Sequence, residues 1–142
     1  MRFMMLMIPK GYEKAEPGAM PDAKAVEAMM KYNESLQKAG VLLALDGLHP
    51  PSMGARVSFS GGKAIVTDGP FTEAKEVLGG YWMIQVKSKE EAVEWAKRCP
   101  ASDNEGIEVR RVQEFSDFPA DVQEAAAKFP ELHAQSKQRQ ES

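Results

Sequence analysis

Cysteine is almost absent from this sequence: among its 142 residues the only cysteine is Cys99. A lone cysteine cannot form an intramolecular disulfide, and a lack of disulfides is typical of reducing compartments. We therefore expect a cytoplasmic protein. Cys99 falls at the end of a predicted helix, where the helix dipole does not favour a thiolate, and we interpret it as a packing residue.

Long runs of residues with the same charge, and apolar runs long enough to span a membrane, are missing as well. The chain has 18 basic and 21 acidic residues and a net charge of −3. A phosphate-binding surface would need a basic cluster, but the arginine pair at 110–111 lies between two glutamates, so we expect no nucleic-acid partner. The mainly apolar N-terminal segment, residues 1–8, is too short to span a bilayer and is closed by Pro9, so we predict a buried strand over 2–8 and no membrane partner.

The common signatures of cofactor sites are also missing. No group of His, Cys, Asp and Glu has the spacing of a zinc site, and one cysteine excludes a thiolate metal site within one chain. Residues 60–63 (SGGK) resemble a phosphate-binding loop only in composition, because the remaining glycine spacing is absent. No nucleophile elbow or dinucleotide fingerprint occurs either. We expect no metal and no cofactor.

Hydrophobic periodicity and turn residues predict alternating strands and helices. A pair of adjacent glycines, Gly61 and Gly62, predicts a hairpin turn, and Ser88 with Glu91 forms a capping box at a helix start. The predicted strands cover 2–8, 41–46, 55–60, 63–67, 79–87 and 107–114, and the predicted helices cover 22–39, 88–99 and 120–129.

This order is the βαββαβ pattern of ferredoxin-like α+β domains with one hairpin inserted. The pattern places the first strand and the strand at 79–87 in the centre of an antiparallel sheet. We expect one domain over residues 1–115, followed by a C-terminal helical extension and tail over 116–142.

The central strands are apolar on both faces. Phe3, Met5 and Met7 point to one face of the sheet, while Met4 and Leu6 point to the other. Two crossover helices can cover only one face, and a second exposed apolar face exceeds what monomers usually tolerate. We therefore expect a homodimer that packs sheet to sheet; a monomer capped by its own C-terminal helix is the alternative.

One segment carries a family resemblance. Residues 67–76 (TDGPFTEAKE) resemble the motif that gives the DGPF-domain branch of the YCII-related family its name. Four further blocks are similar to that family, at residues 39–43, 47–50, 78–82 and 91–96. The resemblance covers roughly residues 1–115, and it implies a dimeric α+β barrel.

The resemblance implies less about function. The wider family has been suspected of enzymatic activity that depends on a His and Asp pair, and some relatives resemble muconolactone isomerases and dehalogenases. Other DGPF-type domains are fused to sigma-factor domains, which suggests a link to transcription initiation. The histidine of shorter members lies near the first helix, where this chain has Tyr32 and Asn33 instead.

The candidate site centres on Asp68. An Asp in a turn often accepts a hydrogen bond from the N–H two residues on, but Pro70 has none. Gly69 is restricted by the proline that follows, so the loop to Phe71 is stiff and aims its side chains reproducibly. Such a loop can hold a general base, and a sharp structural turn is the alternative.

The neighbouring charges extend this candidate site. Lys75 and Glu76 follow in the same segment, where Lys75 provides an electrostatic element for an anionic group. His49 and Asp46 lie at the end of the second strand, and His49 is the candidate proton partner. We interpret Asp68 and His49 as catalytic, and Gly69, Pro70, Phe71, Lys75, Glu76 and Asp46 as ligand-binding.

Three functional hypotheses follow. The first is a small-molecule pocket near the Asp68 loop, where acid/base chemistry such as isomerisation or elimination takes place. The second is a non-catalytic regulatory or protein-interaction module. The third is a motif that serves only to stabilise the dimer.

Overall fold

The computed structural model describes residues 1–71 and 76–132. After Arg111 the chain divides into two compact units. The described part of the first unit contains six strands and two α-helices, in the order β1 (Arg2–Ile8), α1 (Ala23–Lys38), β2 (Leu42–Gly47), β3 (Ala55–Ser60), β4 (Lys63–Asp68), β5 (Gly80–Gln85), α2 (Lys89–Lys97) and β6 (Gly106–Arg111). The second unit contains α3 (Ala120–Ala127).

Four strands of the first unit form an antiparallel sheet in the order β2-β5-β1-β6. This is the ferredoxin-like arrangement, and it confirms the predicted α+β class with β1 and β5 in the centre. The β3–β4 hairpin forms a separate two-stranded sheet, as predicted from its two glycines. The described strands of one chain form an open sheet and not a closed barrel.

The helix boundaries follow from local capping. The Asp22 carboxylate accepts a 2.8 Å hydrogen bond from the Ala25 N–H at the start of α1, and Gly40 ends the helix with a φ of 73°, as a left-handed C′ residue does. At α2 the Ser88 hydroxyl accepts from the Glu91 N–H. The Glu91 carboxylate in turn accepts from the Lys87 N–H, so both side chains satisfy free donors.

The hydrophobic core lies between the two helices and one face of the sheet. Its fully or nearly buried members come from both helices and from the central strands: Phe3, Met5, Tyr32, Leu36, Trp82, Ile84, Val86 and Ala92. The contact of α1 with the core is narrow, because Tyr32 and Leu36 are buried while Ala25 and Ala39 are exposed.

The other face of the sheet is only half-buried. The register of β1 with β5 places Met4 opposite Met83 and Leu6 opposite Tyr81 on that face, and all four side chains keep partial exposure. The hairpin is also apolar on one face, where Val57 is 54%, Phe59 80% and Val66 66% exposed.

The last core strand ends earlier than predicted. β6 stops at Arg111 and not at Glu114. The Glu114 N–H donates a 2.7 Å hydrogen bond to the Asp117 carboxylate, which begins a turn of 3₁₀ helix over Phe115–Asp117. The strand itself ends at Arg111 because its pairing with β1 stops there, opposite Phe3, while Glu114 is still extended. Among the described residues no helix is long and apolar enough to cross a bilayer.

Close packing of β2 against β5 predicts the effect of one substitution. A Cβ added at Gly80 would lie 2.7 Å from the Asp46 carbonyl oxygen, so Gly80→Ala must displace backbone in the sheet. We expect it to lower the free energy of unfolding by about 1–3 kcal/mol in urea titrations.

Gly106→Ala is the matched control at the first residue of β6. A Cβ at Gly106 meets no atom within 4 Å, so its stability should stay unchanged or rise by up to about 1 kcal/mol. Equal losses in both variants would contradict the close approach at Gly80.

Candidate functional site

Two adjoining cavities lie where α1 passes over the ends of β2 and β5. The first, which we call the α1 cavity, has a volume of about 460 Å³. The second, the His49 cavity, has a volume of about 570 Å³. Both are lined by Met7, Pro21, Met29, Gly47 and Gly79, so they are neighbours at one end of the sheet.

The wall of the α1 cavity is mainly apolar. Met29 from α1, Leu45 from β2 and Trp82 from β5 line it. Val26 and Met30 also line it, and they are 39% and 60% exposed, so the cavity opens to solvent along α1. A mostly apolar hollow of this size with a few polar groups is the usual form of a small-molecule site.

Asn33 is the polar side chain of α1 in this wall. The Trp82 indole N–H donates a 2.7 Å hydrogen bond to Asn33 Oδ1, and the Trp82 ring meets Tyr32 edge to face at a centroid distance of 5.6 Å. Asn33 Nδ2 lies 3.8 Å from the Met30 sulfur. The position of the amide is therefore tied to the buried core.

Glu105 also lines the α1 cavity, but its carboxylate is committed to the backbone. One oxygen accepts from the Ser102 N–H at 2.8 Å, and the other accepts from the Lys10 N–H at 3.2 Å. The carboxylate thus holds the turn before β6 against the segment after β1. This position does not suit a general base.

Asp46 and Tyr81 form a polar pair on the opposite face of the sheet. The Tyr81 hydroxyl donates a 2.7 Å hydrogen bond to Asp46 Oδ2. This bond raises the pKa of Tyr81 above its usual value, with smaller contributions from desolvation and from the carboxylate charge. The cross-strand register places both side chains on the face of the sheet away from α1, and both residues border the α1 cavity at the end of their strands.

The glycine pair at the start of β5 is filled by neighbouring protein atoms. A Cβ at Gly79 would lie 2.6 Å from the Pro9 ring, and one at Gly80 would meet the Asp46 carbonyl. Glycine is therefore required at both positions by the close approach of neighbouring segments of the chain.

His49 is exposed and lines the His49 cavity. Its loop is held by Leu48, whose N–H donates to the Gly79 carbonyl at 2.9 Å. The Leu48 carbonyl accepts from the Tyr12 hydroxyl. Two predicted site residues, Asp46 and His49, thus lie at the end of the sheet where the cavities are.

The Asp68 loop lies apart from both cavity walls. Asp68 is the exposed last residue of β4, opposite Ala55, and its carboxylate makes no hydrogen bond or ion pair within residues 1–71 and 76–132. Gly69 donates to the Gly54 carbonyl at 2.9 Å, and a Cβ there would lie 1.7 Å from the Pro51 oxygen.

The rest of the predicted loop is only partly described. The Gly69–Pro70 peptide is cis, and the Arg56 guanidinium lies over the Phe71 ring at 4.2 Å. Glu76 is exposed, and Lys75 lies outside the described residues. No described residue of this loop lines the α1 cavity or the His49 cavity.

The sequence comparisons agree with this fold. The model of the YCII-related domain matches residues 1–116. The chain belongs to the YCII-related family. It is also 40% identical over 78 residues to an uncharacterised protein of Rhizobium meliloti (strain 1021). That match covers 55% of this chain and 58% of the relative, so the chain spans less than two thirds of that protein.

The α1 cavity of this YCII-related chain was not predicted from the sequence. Asn33 follows Tyr32 in the helix that lacks the histidine of shorter family members, and Trp82 sits on a strand predicted to be central. A buried indole N–H needs a hydrogen-bond acceptor. The need of Trp82 for such an acceptor is the sequence signal that could have pointed to Asn33.

Neither cysteine nor clustered metal ligands add to this site. Burial, with the charge of Glu105, raises the pKa of Cys99 to about 11, so the thiol form dominates at neutral pH. Within the described ranges no group of three His, Cys, Asp or Glu side chains is placed to hold a metal ion.

The Asp46–Tyr81 pair gives a titration test. Asp46→Ala removes both the hydrogen bond and the charge, so the pKa of Tyr81 should fall towards the usual value of 10.0. The measurement is a pH titration of tyrosine ¹³Cζ resonances by NMR. Tyr12 is the internal control, because burial alone raises its pKa. A Tyr81 pKa that does not move would contradict the pairing.

Proposed function

We propose that this YCII-related protein binds a small, mainly apolar organic molecule in the α1 cavity. The observation that carries the proposal is the cavity itself: an opening of about 460 Å³ between α1 and the β2–β5 edge, walled by Met29, Leu45 and Trp82 with Asn33 among them. Such a wall supplies apolar contact area and a fixed polar group for orientation.

The arrangement favours binding over acid/base catalysis in this cavity. The Glu105 carboxylate accepts two backbone hydrogen bonds, and the Asp46 carboxylate is paired with Tyr81 on the other face of the sheet. Isomerase-like or lyase-like chemistry would instead use His49, which lines the adjoining His49 cavity, with Asp68, which lies apart from both cavities. The structural link between them is indirect, since the Asp68 loop packs on the Pro51–Gly54 turn that follows His49.

Methionine methyl groups provide a direct binding assay. Met7, Met29 and Met30 line the α1 cavity, whereas Met4 and Met83 lie on the other face of the sheet. With methyl-¹³C methionine, acetophenone or benzamide should shift the first three signals in NMR titrations and leave those of Met4 and Met83 in place.

A matched pair of α1 variants tests whether the α1 cavity is where the probes bind. Ala25 lines it, while Ala28 is an exposed alanine of the same helix outside the lining. Ala25→Trp should fill the cavity and abolish the shifts, and Ala28→Trp should bind like the unmodified protein. Shifts of equal size in both variants, or none with any probe in the unmodified protein, would overturn the proposal.

A second proposal concerns assembly: a second copy of the chain covers the sheet face that the helices leave half-buried, together with the apolar face of the hairpin. Met4, Leu6, Tyr81 and Met83 form the first surface. Phe59, at 80% exposure, lies on the second. A two-stranded hairpin is marginally stable alone, and an obligate dimer buries about 2,000 Å² or more. Such pairing is the dimeric α+β barrel that the DGPF branch implies.

Sedimentation velocity tests this assembly. We expect a dimer at micromolar concentration and a dimer dissociation constant raised at least about tenfold in Phe59→Lys, because a charge replaces an aromatic contact. Ser58→Lys is the control, since Ser58 is exposed on the other face of the hairpin. A monomeric unmodified protein would contradict the dimer, and equal effects of both variants would contradict the role of the hairpin.

The Asp68 loop has a structural role in this proposal. Gly69 packs directly against the Pro51 backbone, and the contact between Arg56 and Phe71 joins β3 to the end of the loop. These contacts support a structural role, in which the motif fixes the base of the hairpin. The position of the hairpin in turn sets the apolar surface that would pair with a second copy of the chain. A regulatory partner remains the alternative suggested by the family resemblance.

A further inference from the structure

The α1 cavity offers no positive charge. Among the described residues that line it, none is Lys, Arg or His. Glu105 brings a carboxylate that two backbone N–H groups already satisfy. An anionic ligand would therefore lose its hydration without gaining a counter-charge, which is costly. The electrostatics of the wall favour an uncharged ligand.

Asn33 is turned so that a donor is available to that ligand. An indole N–H is a donor only, so the Asn33 atom that it meets at 2.7 Å must be the amide oxygen. The amide nitrogen is consequently directed the other way, where it lies 3.8 Å from the sulfur of Met30, another residue of the cavity wall. A thioether is a weak acceptor, so a ligand oxygen can replace it.

Building on the proposed function, we infer that the ligand is a neutral molecule with a carbonyl or similar uncharged oxygen acceptor on a small apolar skeleton, and that Asn33 Nδ2 donates a hydrogen bond to it. Trp82 acts as a positioning residue, because its N–H fixes which end of the amide is presented. The apolar skeleton rests on Met29 and Leu45.

Three ligands of similar shape separate these contributions. Acetophenone carries a neutral carbonyl, ethylbenzene lacks any acceptor, and benzoate is an anion. Titrations followed by the methionine methyl signals should show acetophenone binding about 3- to 10-fold more tightly than ethylbenzene, the ratio expected for one uncharged hydrogen bond. Benzoate should bind more weakly than acetophenone.

Asn33→Asp is the discriminating variant. The shape of the side chain is retained, and a carboxylate oxygen still accepts from the Trp82 N–H, but the donor is lost. We expect acetophenone to lose its advantage over ethylbenzene, while the affinity for ethylbenzene changes by less than about twofold. Thermal melting of the variant checks that the fold is kept.

Trp82→Phe tests the positioning role. The ring contact with Tyr32 is largely retained, but the amide of Asn33 is no longer held in one orientation. The ratio of acetophenone to ethylbenzene affinity should fall while ethylbenzene still binds. A purely structural role for Trp82 would weaken both ligands alike.

The outcomes separate this inference from the proposal on which it rests. If ethylbenzene and acetophenone bind equally well to the unmodified protein, or if Asn33→Asp keeps their ratio, the role of Asn33 is refuted and the cavity still binds. Tighter binding of benzoate would refute the neutral ligand class. If no probe shifts the signals of Met7, Met29 and Met30, the proposed function itself fails.

Discussion

The contact between Tyr32 and Trp82 determines how α1 sits on the sheet. The two rings meet at an interplanar angle of 88°, an edge-to-face arrangement that adds to the apolar area both side chains bury. The Tyr32 hydroxyl donates to the Trp95 carbonyl of α2 at 2.8 Å. One buried pair therefore joins both helices to the central strand β5, and burial keeps the pKa of Tyr32 well above the ordinary range.

The same pair shapes the α1 cavity. Trp82 presents its ring to the core and its N–H to Asn33, the residue that follows Tyr32 in α1. Any shift of the helix along the sheet would break the ring contact and the hydrogen bond together. The cavity is thus a direct extension of the core, and its polar group is as well fixed as a buried side chain.

The sequence predicted the sheet because local patterns decide it. The glycine pair at 61–62 marked the hairpin, the Ser88 and Glu91 capping box marked the start of α2, and the apolar run of β1 marked a central strand. The end of β6 was missed because the strand extends only as far as its pairing with β1, which stops at Arg111 opposite Phe3. The extent of pairing with a distant strand is a tertiary property, and residues 112–114 carry no local signal for it.

The candidate site was harder to predict for a different reason. The DGPF segment was predicted as the site because several charged and conformationally restricted residues lie close together in it. The α1 cavity depends instead on residues as far apart in the sequence as Met7, Asn33, Trp82 and Glu105. The crossing of α1 over β5 brings Asn33 to Trp82, and the pairing of β1 with β5 and β6 brings Met7 and the turn that holds Glu105 to the same end of the sheet. Of the predicted site residues, Asp46 lies near the end of β2 and His49 just after it, so both share that end of the sheet. Asp68 does not, because it terminates a strand of the separate hairpin.

This separation would allow one short chain to carry both the proposed binding site and the proposed assembly surface. Helix α1 and the inner face of the sheet form the α1 cavity, while the outer face of the sheet and one face of the hairpin are apolar and at least partly exposed. The loop at Gly69 contacts the turn after His49, so it lies where the hairpin meets the rest of the unit. A Cβ at Gly69 would meet the Pro51 and Gly54 backbone of that turn, so a side chain there must displace residues 51–54, which connect the His49 loop to the start of the hairpin. The motif residues are thus placed where a change in the loop reaches the turn after His49 and the base of the hairpin together.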